Sequence, residues 1–245
     1  MPDAKLELDY VKALDHLRPI KGANNYAALA GDPSNFKLAI LTDAGFCGLW
    51  EVDSEPWILG LGEFQSTFIP TLIRHVTSGQ VRVTIPRNWT HVELEKRSEW
   101  NFFSIDSSIT PKQPLKHLVV ELNSDEEINS FIDNYAPDSS TRPGDQEVLF
   151  WEGIRNPQGD LLSIGASVRW KSGPTMLVSI ATAPSERGKS MAQEVTASLV
   201  KRLFDLGSPV VGLGVWAANA AAIRAYERVG FQLQEEFVSG PLLRV

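Results

Sequence analysis

The sequence predicts an α/β fold, and three observations carry that prediction. Short apolar runs bounded by turn residues come in two groups of three. Each group is followed by a helical apolar stripe and then one more strand-like run, the pattern of a sheet with helices packed on it. Hydrophobic residues make up 43% and charged residues 22% of 245 residues, enough apolar side chains over enough length for a substantial core in one large or two small domains.

Taken in order, Leu6, Val11, Leu14 and Leu17 recur at helical spacing and predict a helix over about 4–17, ended by Pro19. Strands are expected at 36–42, 47–52 and 57–61, joined by Asp43-Ala44-Gly45 and by Asp53-Ser54-Glu55-Pro56. A helix over about 64–76 and a strand at 81–85 complete this half. Residues 86–114, rich in Ser, Pro and charge, read as a connection. The second half repeats the order, with strands at 147–155, 161–170 and 175–182, a helix at 190–206 and a strand at 210–216. Asn156-Pro157-Gln158-Gly159-Asp160 turns between the first two. The helix is well specified: Ala192, Val195, Leu199, Leu203 and Leu206 form a stripe, Lys201 and Arg202 suit its negative end, and Gly207 and Pro209 stop it. The boundary is set near Pro111–Pro114, giving domains 1–112 and 113–245. The repeated order makes the first domain a degenerate copy of the second, the alternative being an unrelated α/β cap.

Several function classes fall away. A net charge of −7 supplies no positive field for nonspecific nucleic-acid or anionic-membrane binding. Cys47 is alone, so no intrachain disulfide or cysteine metal site is expected. His16, His75, His91 and His117 are scattered, with no pair at ligand spacing, so no metal is expected. The N-terminal residues lack an apolar signal core and no apolar run approaches the ~20 residues a membrane span needs, which makes the cytoplasm the expected address. Gly212-Leu213-Gly214 lacks the third glycine of a dinucleotide turn, Gly188-Lys189-Ser190 lacks the upstream glycine of a Walker loop, and no Gly-x-Ser-x-Gly elbow occurs. Trp151, Trp170 and Trp216 fall on expected strands, where tryptophan is read first as packing.

Two segments carry chemistry. Ala183-Pro184-Ser185-Glu186-Arg187-Gly188-Lys189-Ser190-Met191-Ala192 follows a strand directly and opens a helix. Helix starts have unpaired N–H groups and the positive end of the dipole, so small residues there let an anion reach the backbone, and Arg187 and Lys189 add positive charge. The second segment runs from Asn219 to Phe231, with an N-cap asparagine and a stop at Gly230. Asn219 and Tyr226 are seven residues, two helical turns, apart, and Ala222 between them keeps that face shallow.

Together these segments resemble the GNAT N-acetyltransferase superfamily, over roughly residues 115–245. The family's Arg/Gln-x-x-Gly-x-Gly/Ala phosphate loop is matched by Arg187-Gly188-Lys189-Ser190-Met191-Ala192, with Ser190 in place of the central glycine. Its Asn-x-x-Ala-x-x-x-Tyr-x-x-x-Gly-Phe signature is matched by Asn219, Ala222, Tyr226, Gly230 and Phe231, and 138–145 looks like the start of the acetyltransferase half in two-part bacterial members. The resemblance implies a mixed, mostly antiparallel sheet with flanking helices, and acetyl-CoA as cosubstrate. It implies that Ile180, Ala181 and Thr182 bond the pantetheine arm through the backbone and that Arg187, Gly188, Lys189, Ser190, Met191 and Ala192 hold the pyrophosphate. Asn219 and Ala222 are then further cofactor contacts, and Tyr226 both contacts the cofactor and protonates the leaving thiolate. The expected reaction is direct attack by a primary amine of a small molecule or peptide, without a covalent intermediate, since Cys47 lies in the other half. Only a neutral amine attacks a thioester, so a base is needed. The strand 176–182 carries no carboxylate, and Glu152 on the preceding strand is the nearest candidate. Glu235 and Glu236 read as solvated charges. The competing reading is a non-catalytic acyl-CoA-binding regulatory module.

Overall fold

The computed structural model describes residues 4–17, 29, 31–112 and 116–243. They form two compact units: one holds residues up to Phe102, Trp216–Ala218 and the segment from Leu233, the other Phe103–Val215 and Asn219–Gln232.

In the first unit, β1 (Lys5–Glu7) and α1 (Tyr10–Leu17) precede β2 (Phe36–Leu41), β3 (Gly45–Val52) and β4 (Glu55–Gly62). Then come α2 (Phe68–Ile73) and β5 (Arg82–Pro86), and β6 (Ser98–Asp106) begins here. Strands β1 to β4 pair antiparallel in chain order, and β5 runs parallel to β4. The last strand, β12 (Gln232–Pro241), pairs antiparallel with β5 through Val238 opposite Ile85. Leu38, Ile40, Leu49, Ile58, Val83 and Ile85 bury one face against Phe68, Ile69 and Leu72 of α2. Burial of side chains of this size stabilises by about 1.5–3 kcal/mol each relative to exposure.

The second unit has the same plan. Strand β7 (Val119–Leu122) and helix α3 (Asp125–Tyr135) precede β8 (Val148–Arg155), β9 (Leu161–Arg169) and β10 (Thr175–Thr182). Helix α4 (Met191–Asp205), β11 (Val210–Trp216) and α5 (Ala220–Val229) follow. Strands β7 to β10 are antiparallel in chain order and β11 is parallel to β10. The alternation of the strands divides two layers. Phe150, Ile154 and Leu177 pack under Val195, Leu199 and Leu203 of α4, whereas Trp151, Ile164 and Ala166 pack on Ile128, Phe131 and Ile132 of α3. Each unit thus runs strand, helix, three antiparallel strands, helix, parallel strand.

Four expectations are corrected. Residues 5–7 are a strand rather than the start of a helix, because Leu6 pairs with Ile40 and Glu7 accepts hydrogen bonds from the N–H groups of Leu8 and Asp9. Pro19 lies outside the described residues. The stretch 86–114 is not a plain connection: β6 crosses it with both faces covered, and Trp89, Val92, Phe102 and Phe103 are buried. Leu206 leaves the stripe and is 61% exposed, since α4 ends at Asp205. Finally, the units do not divide at one point near 111–114. Residues 103–112 lie with the second unit, and β12 lies with the first because its ladder is with β5. Gln113 and Pro114 are outside the described residues.

Candidate active site

Parallel strands β10 and β11 are paired only where they begin, Thr175 with Val211 and Met176 with Gly212. Beyond that point β10 continues to Thr182 with no registered partner on this side, and a wedge opens between the strands. Burial follows the same break: Thr175, Met176 and Leu177 are buried, whereas Val178 to Thr182 are only half-buried although they lie inside the sheet. The other edge of β10 is also interrupted. Val178 faces Ala166 and Ala181 faces Ile164, so Ser179 and Ile180 together oppose Gly165 in a β-bulge. Ser179 takes φ 53°, a left-handed conformation that a serine adopts only where its surroundings impose it.

The wedge ends at the turn. Ala183 is buried and anchors a single 3-10 turn, Pro184–Glu186. Arg187, Gly188 and Lys189 then project into solvent ahead of α4. Gly188 has φ 81°, and a Cβ built on it would meet nothing within 4 Å, so the space over this backbone is open. Ser190 has φ 69° and makes no capping bond with its side chain. It therefore occupies the glycine position of the turn in a glycine conformation. The first N–H groups of α4 have no intrahelical acceptors and point out of this turn. Arg187 Nε donates to the Thr182 carbonyl at 3.4 Å and Lys189 pairs with Glu186 at 2.9 Å. Met191 turns its side chain into the core, leaving only its backbone for a ligand.

The second motif is built by α5. Asn219 Oδ1 accepts from the Ala222 N–H at 3.2 Å, a working N-cap, and the residue is exposed. Gly230 closes the helix at φ 124°, where a Cβ would press on Ile109 and Ile105 at 3.1 and 3.2 Å. Tyr226 is 7% exposed, and its ring lies 6.1 Å from that of Phe231. Burial pushes its phenol up to about 12, because the charged form would lose its water.

Glu152 does not fit a base at this wedge. It is buried on the α4 face, where Arg202 Nη1 lies 3.3 Å from Glu152 Oε1 and 3.0 Å from Glu121. Arg202 also sits 3.9 Å over the Phe150 ring. The 11-residue rise from Met191 to Arg202 places this cluster about 16 Å along the helix from the phosphate turn. Cys47 is buried in the first unit, which pushes its thiol up and away from nucleophilic use. Trp151 is core, but Trp216 is 61% exposed. Among the described residues no cluster of three His, Cys, Asp or Glu is placed to hold a metal.

Residues 133–231 match the family described as "Acetyltransferase (GNAT) family". Solved structures share the fold over most of the chain. A GCN5-related N-acetyltransferase from Kribbella flavida has a TM-score of 0.63 at 15% identity, covering 92% of this chain and 96% of its own. One from Sphaerobacter thermophilus gives 0.59 at 12% identity, covering 100% and 99%. A GNAT acetyltransferase from Colwellia psychrerythraea gives 0.54 at 15%, covering 98% and 100%. No curated protein matches the chain. No helix among the described residues is long and apolar enough to cross a membrane.

The structure brings Ile180, Ala181, Thr182, the 187–192 turn, Asn219, Ala222 and Tyr226 onto the elements that border one wedge, and leaves Glu152 elsewhere. Sequence reasoning missed the bulge at Ser179. Its one signal was a serine inside the apolar run Met176-Leu177-Val178-Ser179-Ile180-Ala181.

Proposed function

We propose that the second unit transfers the acetyl group of acetyl-CoA to a primary amine by direct attack. The observation that carries this reading is the opening of β10 from β11 directly ahead of the glycine-conformation turn at 187–190. A pyrophosphate at the N-terminus of α4 would meet backbone N–H groups, the helix dipole and the side chains of Arg187 and Lys189. The pantetheine arm would then run back along the free edge of β10, adding a strand-like partner beside residues 178–182. Its thioester carbonyl would reach the bulge.

Tyr226 is the group for the departing sulfur. A phenol near 12 is a weaker acid than a thiol near ~8.5, so complete proton transfer to the thiolate is uphill by roughly 5 kcal/mol. Tyr226 therefore serves as a hydrogen-bond donor that stabilises developing negative charge, and solvent supplies the final proton. The acceptor is read as a small-molecule or peptide amine.

The loss of Glu152 as a base favours one rival, an acyl-CoA-binding module that does no chemistry. Thermal melts with acetyl-CoA test the shared premise. At about 100 times the dissociation constant the ligand should add about 2.7 kcal/mol of stability, and Gly188→Asp should erase the shift by setting a carboxylate against the phosphates. No shift at millimolar acetyl-CoA would overturn cofactor binding. Free-thiol release on adding amines separates the enzyme from the module.

A further inference from the structure

The bulge carries more than backbone geometry. Ser179 Oγ lies 2.5 Å from Ser139 Oγ, and either hydroxyl can be the donor. Ser139 in turn donates to the Thr141 carbonyl at 3.3 Å. Both serines are half-buried, and they join β10 to the segment 136–147 between α3 and β8. The result is a short hydroxyl chain that starts on the strand bordering the wedge and ends at the surface. Its apolar neighbours on β10 are Val178, Ile180 and Ala181, and β10 has no ionisable residue.

Several charged groups of the surrounding elements are already engaged or face water, while Glu147 is half-buried. Arg142 pairs with Asp133 at 2.8 Å and its N–H bonds Asp145. Asp138, beside Ser139, is exposed. Glu194, the buried carboxylate in the first turn of α4, holds the N–H and Nδ1 of His117 at 2.8 and 3.1 Å. With Glu152 bound to Arg202, no described carboxylate is left at the bulge.

We propose that Ser179 and Ser139 carry away the proton that the acceptor amine loses. The proposal rests on the acetyl-transfer reading above. The acceptor's ammonium hydrogen-bonds Ser179 Oγ. As its N–H bond breaks, the Ser179 hydroxyl proton passes to Ser139 Oγ, and the Ser139 proton leaves its hydrogen bond to the Thr141 carbonyl and passes to water. Each serine ends neutral, and the amine lone pair is freed to form the new N–C bond. Desolvation by the apolar neighbours favours the neutral amine, and the hydroxyl pair gives the proton its path. Ser179 touches the acceptor and takes the proton, Ser139 acts through it as a positioning residue, and neither ends charged.

The test uses the whole chain with acetyl-CoA and four acceptor probes: n-butylamine, glucosamine, spermidine and a short peptide with a free α-amine. Free-thiol release is followed from pH 6.5 to 9.5, and acetyl-CoA binding is measured separately by calorimetry. Ser179→Ala and Ser139→Ala should each lower kcat about tenfold or more at pH 7 and leave acetyl-CoA affinity unchanged. The defect should shrink as pH rises toward the amine's own pKa, because the variants must use amine that has already lost its proton. Ser179→Thr should restore part of the rate. A defect of equal size at every pH, or no defect in either variant, would overturn the proposal; no thiol release by the wild type with all four amines would instead overturn the acetyl-transfer reading. Failure of the wild type to bind acetyl-CoA would likewise overturn that reading.

Discussion

Ser190 offers a clean measure of how far the phosphate turn is shaped by its ligand rather than by its own stability. It sits at φ 69°, ψ 7° with no capping bond from its hydroxyl. A left-handed conformation costs a residue with a Cβ about 1–2 kcal/mol. Ser190→Gly removes that strain, but the freer unfolded chain takes back about 0.5–1 kcal/mol. The net is a gain of about 0.5–1 kcal/mol, which for a chain of this length raises Tm by about 1–4 °C. Ser190→Ala is the control: it keeps the strain and deletes only the hydroxyl, so it should melt within about 1 °C of the wild type. Scanning calorimetry with and without acetyl-CoA reads both effects. If the turn is already in its binding conformation, the additional shift from acetyl-CoA should be the same in wild type and Ser190→Gly. A Ser190→Gly variant that melts below the wild type would refute the reasoning, because the hydroxyl would then be holding the turn.

Two further outcomes rest on burial. Tyr226→Phe keeps the ring against Phe231, so acetyl-CoA affinity should hold while loss of the hydrogen-bond donor lowers kcat with a competent amine about 10²–10³-fold. Its phenol is raised from an ordinary value near 10 to about 12 in the folded protein, so it favours folding fully below pH ~10 and loses that contribution as pH climbs to ~12. Urea unfolding at pH 9 and 11.5 should show the wild type losing roughly 2 kcal/mol more than Tyr226→Phe. Trp89→Ala should cost about 3–5 kcal/mol, since the indole is 2% exposed and its N–H donates to the Gly62 carbonyl at 3.0 Å; urea unfolding reads this directly.

Features whose physics closes within a few residues were legible in the sequence. The turn at 183–192, the capped helix from Asn219 to Gly230 and the strands 36–41, 161–169 and 210–216 all declare themselves by local spacing. Helix α3 has an equally local signature, although no expectation was placed on it. Ser124 caps it by accepting from the Glu127 N–H at 3.3 Å, and Ile128, Phe131 and Ile132 give its stripe. The features that escaped depend on partners far along the chain. β6 lacks clean alternation because both of its faces are covered, so a buried strand reads as an irregular stretch. β12 joins β5 across some 150 residues. Glu152 looks available in the sequence because Arg202, which holds it, lies 50 residues further on.

The same distance rule separates the two units. In the first unit β4 and β5 also pair in parallel at only three positions, Trp57 to Leu59 with Arg82 to Thr84, so a wedge between them is built into the topology. Trp89 fills it. Its six-membered ring lies where a Cβ on Gly60 would stand, beside Ile85, and its N–H takes the Gly62 carbonyl, the kind of β4 backbone group a bound arm would otherwise address. In the second unit the chain after β11 goes into α5, which carries Asn219 and Tyr226. The two units thus differ in the segment that leaves the last parallel strand. The deciding pair, Gly60 and Trp89, is 29 residues apart and carries no local signature.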